Sequence, residues 1–167
     1  MKSRAFGFSI AGLIFLFDQL TKWIVAGPLR LAEVGQIEIV SFFRLTYTRN
    51  YGISGGFLHA SNDMIRWALV AMTSAIAIGV AVWIGREKHR ADQLALGLVL
   101  GGALGNILDR ARIGYVVDFA DLHFGDFRPF LIFNVGDAAI SIGVVILLLR
   151  AFLLKKDEGP EEKIEHA

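Results

Sequence analysis

The chain contains no cysteine, which excludes disulfides, thiol nucleophiles and thiolate metal sites, and leaves the redox compartment open. It also lacks an excess of either charge: 17 Lys and Arg stand against 16 Asp and Glu, a net +1. That balance gives no sign of a nucleic-acid partner. No internal repeat or low-complexity tract is visible. The marks of common hydrolases are missing too. His59, His89, His123 and His166 are scattered, with no HExxH or comparable cluster,. No G-x-S-x-G elbow and no suitably placed Ser-x-x-Lys pair is present either,. No metal site and no cofactor is therefore expected.

What the chain has instead is apolar length. Hydrophobic residues make up 54% of it, mean hydropathy is +0.54, and these residues are gathered into blocks rather than spread at amphipathic spacing. With about 20 residues needed per crossing, four spans are predicted, at about 5–27, 64–84, 93–108 and 133–154. They use up nearly the whole chain, so residues 1–154 are expected to form a single membrane domain, mainly α. The first block resembles a signal peptide in its Lys2 and Arg4 lead. Its length, its Asp18, Gln19 and Lys22, and the following Pro28-Leu29-Arg30 instead predict a retained span,.

Lys2 and Arg4, then Arg86, Lys88 and Arg90, then Lys155 and Lys156 all fall on one side of such a bundle. Under the positive-inside rule that side is cytoplasmic, with both termini on it. The segments 28–63 and 109–132 then lie outside. In the first of these, GQIEIVSFFRLTYTRNYG alternates apolar and polar residues and predicts a small extracytoplasmic β-rich platform,. The tail 155–167 is charged and is expected to be solvated and mobile,.

Ionisable groups inside apolar segments are candidates for function. Asp18 and Lys22 sit four apart on the first span, where a structural ion pair is the plain reading,. Gly97, Gly101 and Gly105 form a small-residue stripe for close helix packing, followed by Asn106 and Arg110 on one face,. The latter two could equally cap a helix. Asp118 follows two valines. Asp137 begins the fourth span with Asn134 one turn before it, and neither acid has a local cationic partner. Asp121 and Asp126 read as ordinary solvated loop acids. If the 109–132 segment folds back, Asp118 and Asp137 meet at the membrane boundary, where two carboxylates in one low-dielectric site share a proton. Such a pair supplies an acid and a base together, enough for peptide hydrolysis. From spacing alone, a structural or ion-conducting bundle remains open beside this reading. A metal-dependent lipid phosphotransferase would show more aspartates at helical spacing.

The stretches DQLTK (Asp18 to Lys22), TRNYG (Thr48 to Gly52), GGALGNILDR (Gly101 to Arg110), VVDF (Val116 to Phe119) and FNVGDAAI (Phe133 to Ile140) together resemble the lipoprotein signal peptidases, the type II signal peptidases of bacterial inner membranes. They occur in family order over most of the chain. The resemblance implies an aspartyl endopeptidase that cuts diacylglyceryl-modified prolipoproteins just before the lipidated cysteine, with Asp118 and Asp137 as the catalytic pair. It implies that Asn50, Gly52, Asn106, Arg110 and Asn134 surround the substrate and the acids, and that Asp18 and Lys22 give structural support. It further implies membrane lipid around a protein that works as a monomer, and sensitivity to the cyclic peptide globomycin. Two departures from the family pattern stand out. Gly55 replaces an aromatic, with Phe57 two positions on, which touches the lid contacts. Gly136 replaces the commoner alanine, a small-for-small change that is expected to be tolerated with catalysis intact, although glycine favours a looser helix start,.

Overall fold

A computed structural model describes residues 2–52, 63–125 and 127–157. Gly55, Phe57, His59, Asp126 and His166 lie outside the described residues, as does the tail from 158 onward. In chain order the elements are α1 (Lys2–Ala26), α2 (Leu31–Val34), β1 (Gln36–Val40), β2 (Phe43–Asn50), α3 (Asp63–Arg86), α4 (Arg90–Ile113), β3 (Val116–Leu122) and α5 (Val135–Asp157). Among the described residues, four helices are long and apolar enough to cross a membrane: Ala5–Ala26, Asp63–Arg86, Arg90–Ile113 and Val135–Leu153. Their outward faces carry exposed Leu13, Leu16, Trp23, Met72, Ile78 and Leu148. In water that apolar surface would be costly; against lipid it is the compatible one.

The third span runs over Arg90–Ile113 rather than 93–108. Its glycines and terminal charges dilute its hydropathy and made its ends hard to see. It is also the central helix: half of its most apolar window is buried, against 11–22% for the other three. Helices α1, α3 and α5 all pack on it. The glycine stripe makes this possible, because a Cβ on Gly97 would stand 2.6 Å from the Gly7 carbonyl oxygen, and one on Gly101 2.5 Å from that of Ala11. Backbones therefore approach without side chains between them. At one end of the bundle, Arg150 makes a two-pronged contact with Asp92, at 2.6 and 3.0 Å, tying α5 to α4.

At the opposite end lies an antiparallel sheet in the order β1-β2-β3. The first two strands fall where the alternating pattern placed them. The third lies in the segment expected to be an outer loop, and it pairs Thr48 with Asp118 and Arg44 with Asp121. Nearly every β3 residue is buried, and Phe119 and Ala120 join Val25 and Leu31 in an apolar cluster flanked by Leu45, Tyr47 and Phe133. A strand covered on both sides does not alternate, so VVDFADL hides from a period-two search.

Candidate active site

Asp118 is brought to the site by β3 and Asp137 by the first turn of α5. Asn134, just before α5, connects them. Its Nδ2 donates to Asp118 Oδ1 at 2.6 Å, and its Oδ1 accepts the Asp137 backbone N–H at 2.9 Å. Its own backbone N–H donates to Asp137 Oδ2 at 3.3 Å. The last two bonds form a reciprocal capping box, which explains why an asparagine and an aspartate stand three apart at the start of an apolar helix. The helix end supplies N–H groups and a positive dipole end that favour the Asp137 carboxylate.

Asn50 and Asn106 complete the ring of amides. Asn50 Nδ2 donates to Asp118 Oδ2 at 2.9 Å, while its Oδ1 accepts the Gly52 backbone N–H at 2.8 Å. Gly52 adopts φ +85°, and a Cβ there would lie 2.8 Å from Leu69 Cδ1, so this turn calls for glycine,. Asn106, on α4, donates from Nδ2 to Asp137 Oδ1 at 2.8 Å. Arg110 interacts electrostatically with Asp137, Asp118 and Asp109, and its buried Nε has no hydrogen-bond partner among the described residues.

Behind the pair sits a buried ionic cluster. Lys22 Nζ contacts Asp18 Oδ2 and Asp109 Oδ2, each at 2.8 Å, with Lys22 and Asp18 side chains at most 5% exposed. Gln19 Nε2 also reaches Asp109 Oδ1 at 3.1 Å. The expected Asp18 and Lys22 pair is therefore present but larger than foreseen: Asp109 and Gln19 were missed. Asp109 stands three residues after Asn106 on the same helix, one position beyond the end of the span expected from hydropathy.

One expectation is corrected. Asp121 is no solvated loop acid: its side chain is fully buried on β3, 2.8 Å from Arg44 Nε and 3.4 Å from Arg128 Nε, with Thr46 at 3.2 Å. Burial opposes its charge, yet the hydrogen bonds from Arg44 and Thr46 and the charge of Arg128 hold it below the ordinary carboxylate value. Gly136 sits at a close approach of α5 to α4. Its N–H donates to Asp18 Oδ1 at 2.8 Å, and a Cβ there would lie 2.9 Å from the Gly102 carbonyl oxygen. Here glycine fits a tight helix crossing.

Burial, and then the facing charge of Asp137, push the Asp118 carboxyl up from 3.8 to about 6, against the hydrogen bonds from Asn50 and Asn134 and the charge of Lys22. The folded state thus holds this proton more tightly than the unfolded chain does. The stabilisation is fully present below pH 3.8 and lost as pH rises through about 6,. Over that window the group contributes about 3 kcal/mol. Melting curves in detergent should show wild-type stability falling across this range, with a shallower slope in Asp118→Asn. Identical slopes would mean that the carboxyl titrates normally.

Asp118 borders a cleft of about 810 Å³ whose lining mixes polar and apolar side chains, among them Asn50, Arg110, Arg128, Phe130 and Ile132, with Gly52. Asp137 borders an apolar cleft of about 250 Å³ with Leu131, Phe133 and Ile142. Phe130 and Leu131 line both. A ligand spanning the two clefts would place a polar portion beside one acid and a hydrocarbon portion beside the other. Among the described residues, no three His, Asp or Glu side chains are grouped at metal-binding spacing.

The Signal peptidase (SPase) II family model matches residues 10–153. The lipoprotein signal peptidase of Rhizorhabdus wittichii is 55% identical over 162 residues, 97% of this chain and 94% of that protein. That of Sphingopyxis alaskensis is 57% identical over 154 residues, 92% of this chain and 89% of the relative. A bacterial membrane enzyme solved by the in meso method at 2.3 Å superposes with a TM-score of 0.78 at 29% identity, covering 93% of both chains. With four spanning helices, a sheet at one end and a family match over most of its length, the chain belongs to the signal peptidase II family of membrane peptidases.

Proposed function

We propose that this chain is an aspartic endopeptidase of the bacterial cytoplasmic membrane that removes signal peptides from diacylglyceryl-modified prolipoproteins, cutting just before the lipidated cysteine. The observation that carries the reading is Asn134, which hydrogen-bonds both Asp118 and Asp137 and so holds a buried and a half-buried acid from different elements in one site. The relatives' name, lipoprotein signal peptidase, supports the substrate class.

In this mechanism the pair holds one proton. The ionised carboxylate takes a proton from water as its oxygen attacks the scissile carbonyl carbon. The protonated partner hydrogen-bonds the carbonyl oxygen. Collapse of the tetrahedral intermediate breaks the C–N bond while a carboxyl delivers a proton to the departing amine. Arg110, whose Nε has no partner among the described residues and which borders the cleft beside Asp118, donates to substrate carbonyls, and Asn50 and Gly52 line the peptide path. The acyl chains of the substrate stay in lipid and enter beside Leu131, Phe133 and Ile142, which fixes the depth of the scissile bond before any contact with the acids. Both termini face the cytoplasm and the sheet faces outward, as the distribution of Lys and Arg favours. Globomycin is expected to compete for the same clefts.

The test is cleavage of a purified diacylglyceryl-modified prolipoprotein in detergent with excess chelator. Undiminished cleavage before the lipidated cysteine is expected. Loss on chelation would point to a metal-dependent enzyme, and no cleavage under any condition to a polar-cored bundle that conducts ions.

A further inference from the structure

The three asparagines around the acids all present N–H groups to them, and each is held in that sense by a donor on its carbonyl side. For Asn50 the donor is the Gly52 backbone N–H, and for Asn134 it is that of Asp137. For Asn106 it is the Lys22 side chain, whose Nζ lies 3.0 Å from Oδ1. An ammonium donates and cannot accept. Its three hydrogens are matched by three acceptors: Asp18 Oδ2, Asp109 Oδ2 and Asn106 Oδ1. Asn134 Nδ2 makes a longer second contact with the same Oδ1, at 3.2 Å.

We propose that Lys22 is a positioning residue for the reacting pair: its ammonium locks the Asn106 amide so that only N–H can face Asp137. This rests on the reading of Asp118 and Asp137 as the reacting acids. With the amide reversed, Asn106 Oδ1 would oppose Asp137 Oδ1, and the contact would survive only with Asp137 protonated. The pair would then retain a proton it must release. Asp18 adds a second constraint, because its Oδ1 holds the Gly136 N–H adjacent to Asp137. The charged groups facing this cluster are Asp18 and Lys22 of α1, Asp109 and Arg110 of α4, Asp118 of β3 and Asp137 of α5. Lys22 is the single one of the three orienting donors that belongs to a side chain, so substitution can remove it while leaving the backbone intact.

The experiment measures kcat, KM and the pH profile of cleavage of a lipidated prolipoprotein, with melting in detergent, for Lys22→Met, Asn106→Ala, their double variant and Asn106→Asp. Lys22→Met is expected to lower kcat about 10- to 100-fold, with KM within about twofold. The alkaline limb of its kcat profile should move to higher pH, and the double variant should be no worse than Asn106→Ala. Should Lys22→Met fail to fold, Asn106→Asp retains the Lys22 contact and the shape of the side chain, and the same loss and alkaline displacement are expected of it. Multiplying losses in the double variant, or a kcat loss without movement of the pH limb, would overturn the proposal. So would wild-type kinetics in Asn106→Asp. Asp137→Asn separates the two readings. If it retains turnover, the assignment of the acids is wrong; if it is inactive while Lys22→Met and Asn106→Asp are normal, only the positioning role is wrong.

Discussion

Asp118→Asn and Asp137→Asn are each expected to lower kcat by about 10²- to 10⁴-fold, the range for removing a positioned general acid or base. An amide can neither take the proton of water nor return one to a leaving amine. The surroundings add a second penalty. Both Asp118 oxygens accept hydrogen bonds, from Asn50 and Asn134. The oxygens of those two amides are held by backbone N–H groups. Neither amide can turn over to receive a new donor. Asn at 118 must therefore set its own NH₂ against another, at a cost of about 1–3 kcal/mol for the unsatisfied group. The same holds at 137, where Asn106 is fixed by Lys22. Single-turnover cleavage combined with melting separates lost chemistry from lost fold. Asp121→Asn provides the contrast: its partners are Arg44, Thr46 and Arg128, so the folded protein should keep its turnover while its melting temperature drops.

The second large effect is expected far from any proton. Gly102→Ala should lower kcat by about 10²-fold and destabilise the protein by about 1–3 kcal/mol, although its methyl touches neither acid. A Cβ on Gly102 would overlap the Gly136 carbonyl oxygen and stand 3.0 Å from Ile140 Cγ1. The first of these is backbone and cannot rotate away. The start of α5, which carries Asp137, must move from α4, which carries Asn106, and the bond between them is 2.8 Å long. Gly79→Ala is the matched control. A Cβ there meets nothing within 4 Å, and activity and melting should both match wild type. Normal activity in Gly102→Ala would show that the crossing tolerates more than its geometry indicates.

Apolar blocks made the spans legible, because a crossing helix must be apolar over its length whatever its partners. The sheet was half legible. β1 and β2 stay at least partly exposed along their length, and their sequences alternate apolar and polar residues. β3 is covered on both faces and reads as a short apolar run interrupted by acids. That interruption also misled the reading of Asp121, whose arginine partners come from β2 and from beyond β3, too distant in sequence to be inferred. Asp118 and Asp137 stood out locally because carboxylates beside valines and at the start of an apolar helix have no evident solvent. Capping of α5 by Asn134 was equally local, an Asn-x-x-Asp spacing that can be read once the helix start is known. The Lys22 cluster was not local at all. Asp109 comes to Lys22 across the α1–α4 crossing, and that crossing is set by glycines whose close approaches no spacing rule supplies.

At the centre of the account, one proton is divided between Asp118 and Asp137. Infrared difference spectroscopy on protein carrying isotope-labelled aspartate reads this directly, through the carbonyl stretch of a protonated carboxyl. At about pH 5, above the ordinary carboxylate range, wild type should show a labelled acid band that disappears in Asp118→Asn and shifts and weakens in Asp137→Asn, where burial alone still favours the Asp118 proton. A band unchanged in either variant, or no labelled acid at that pH, would contradict it.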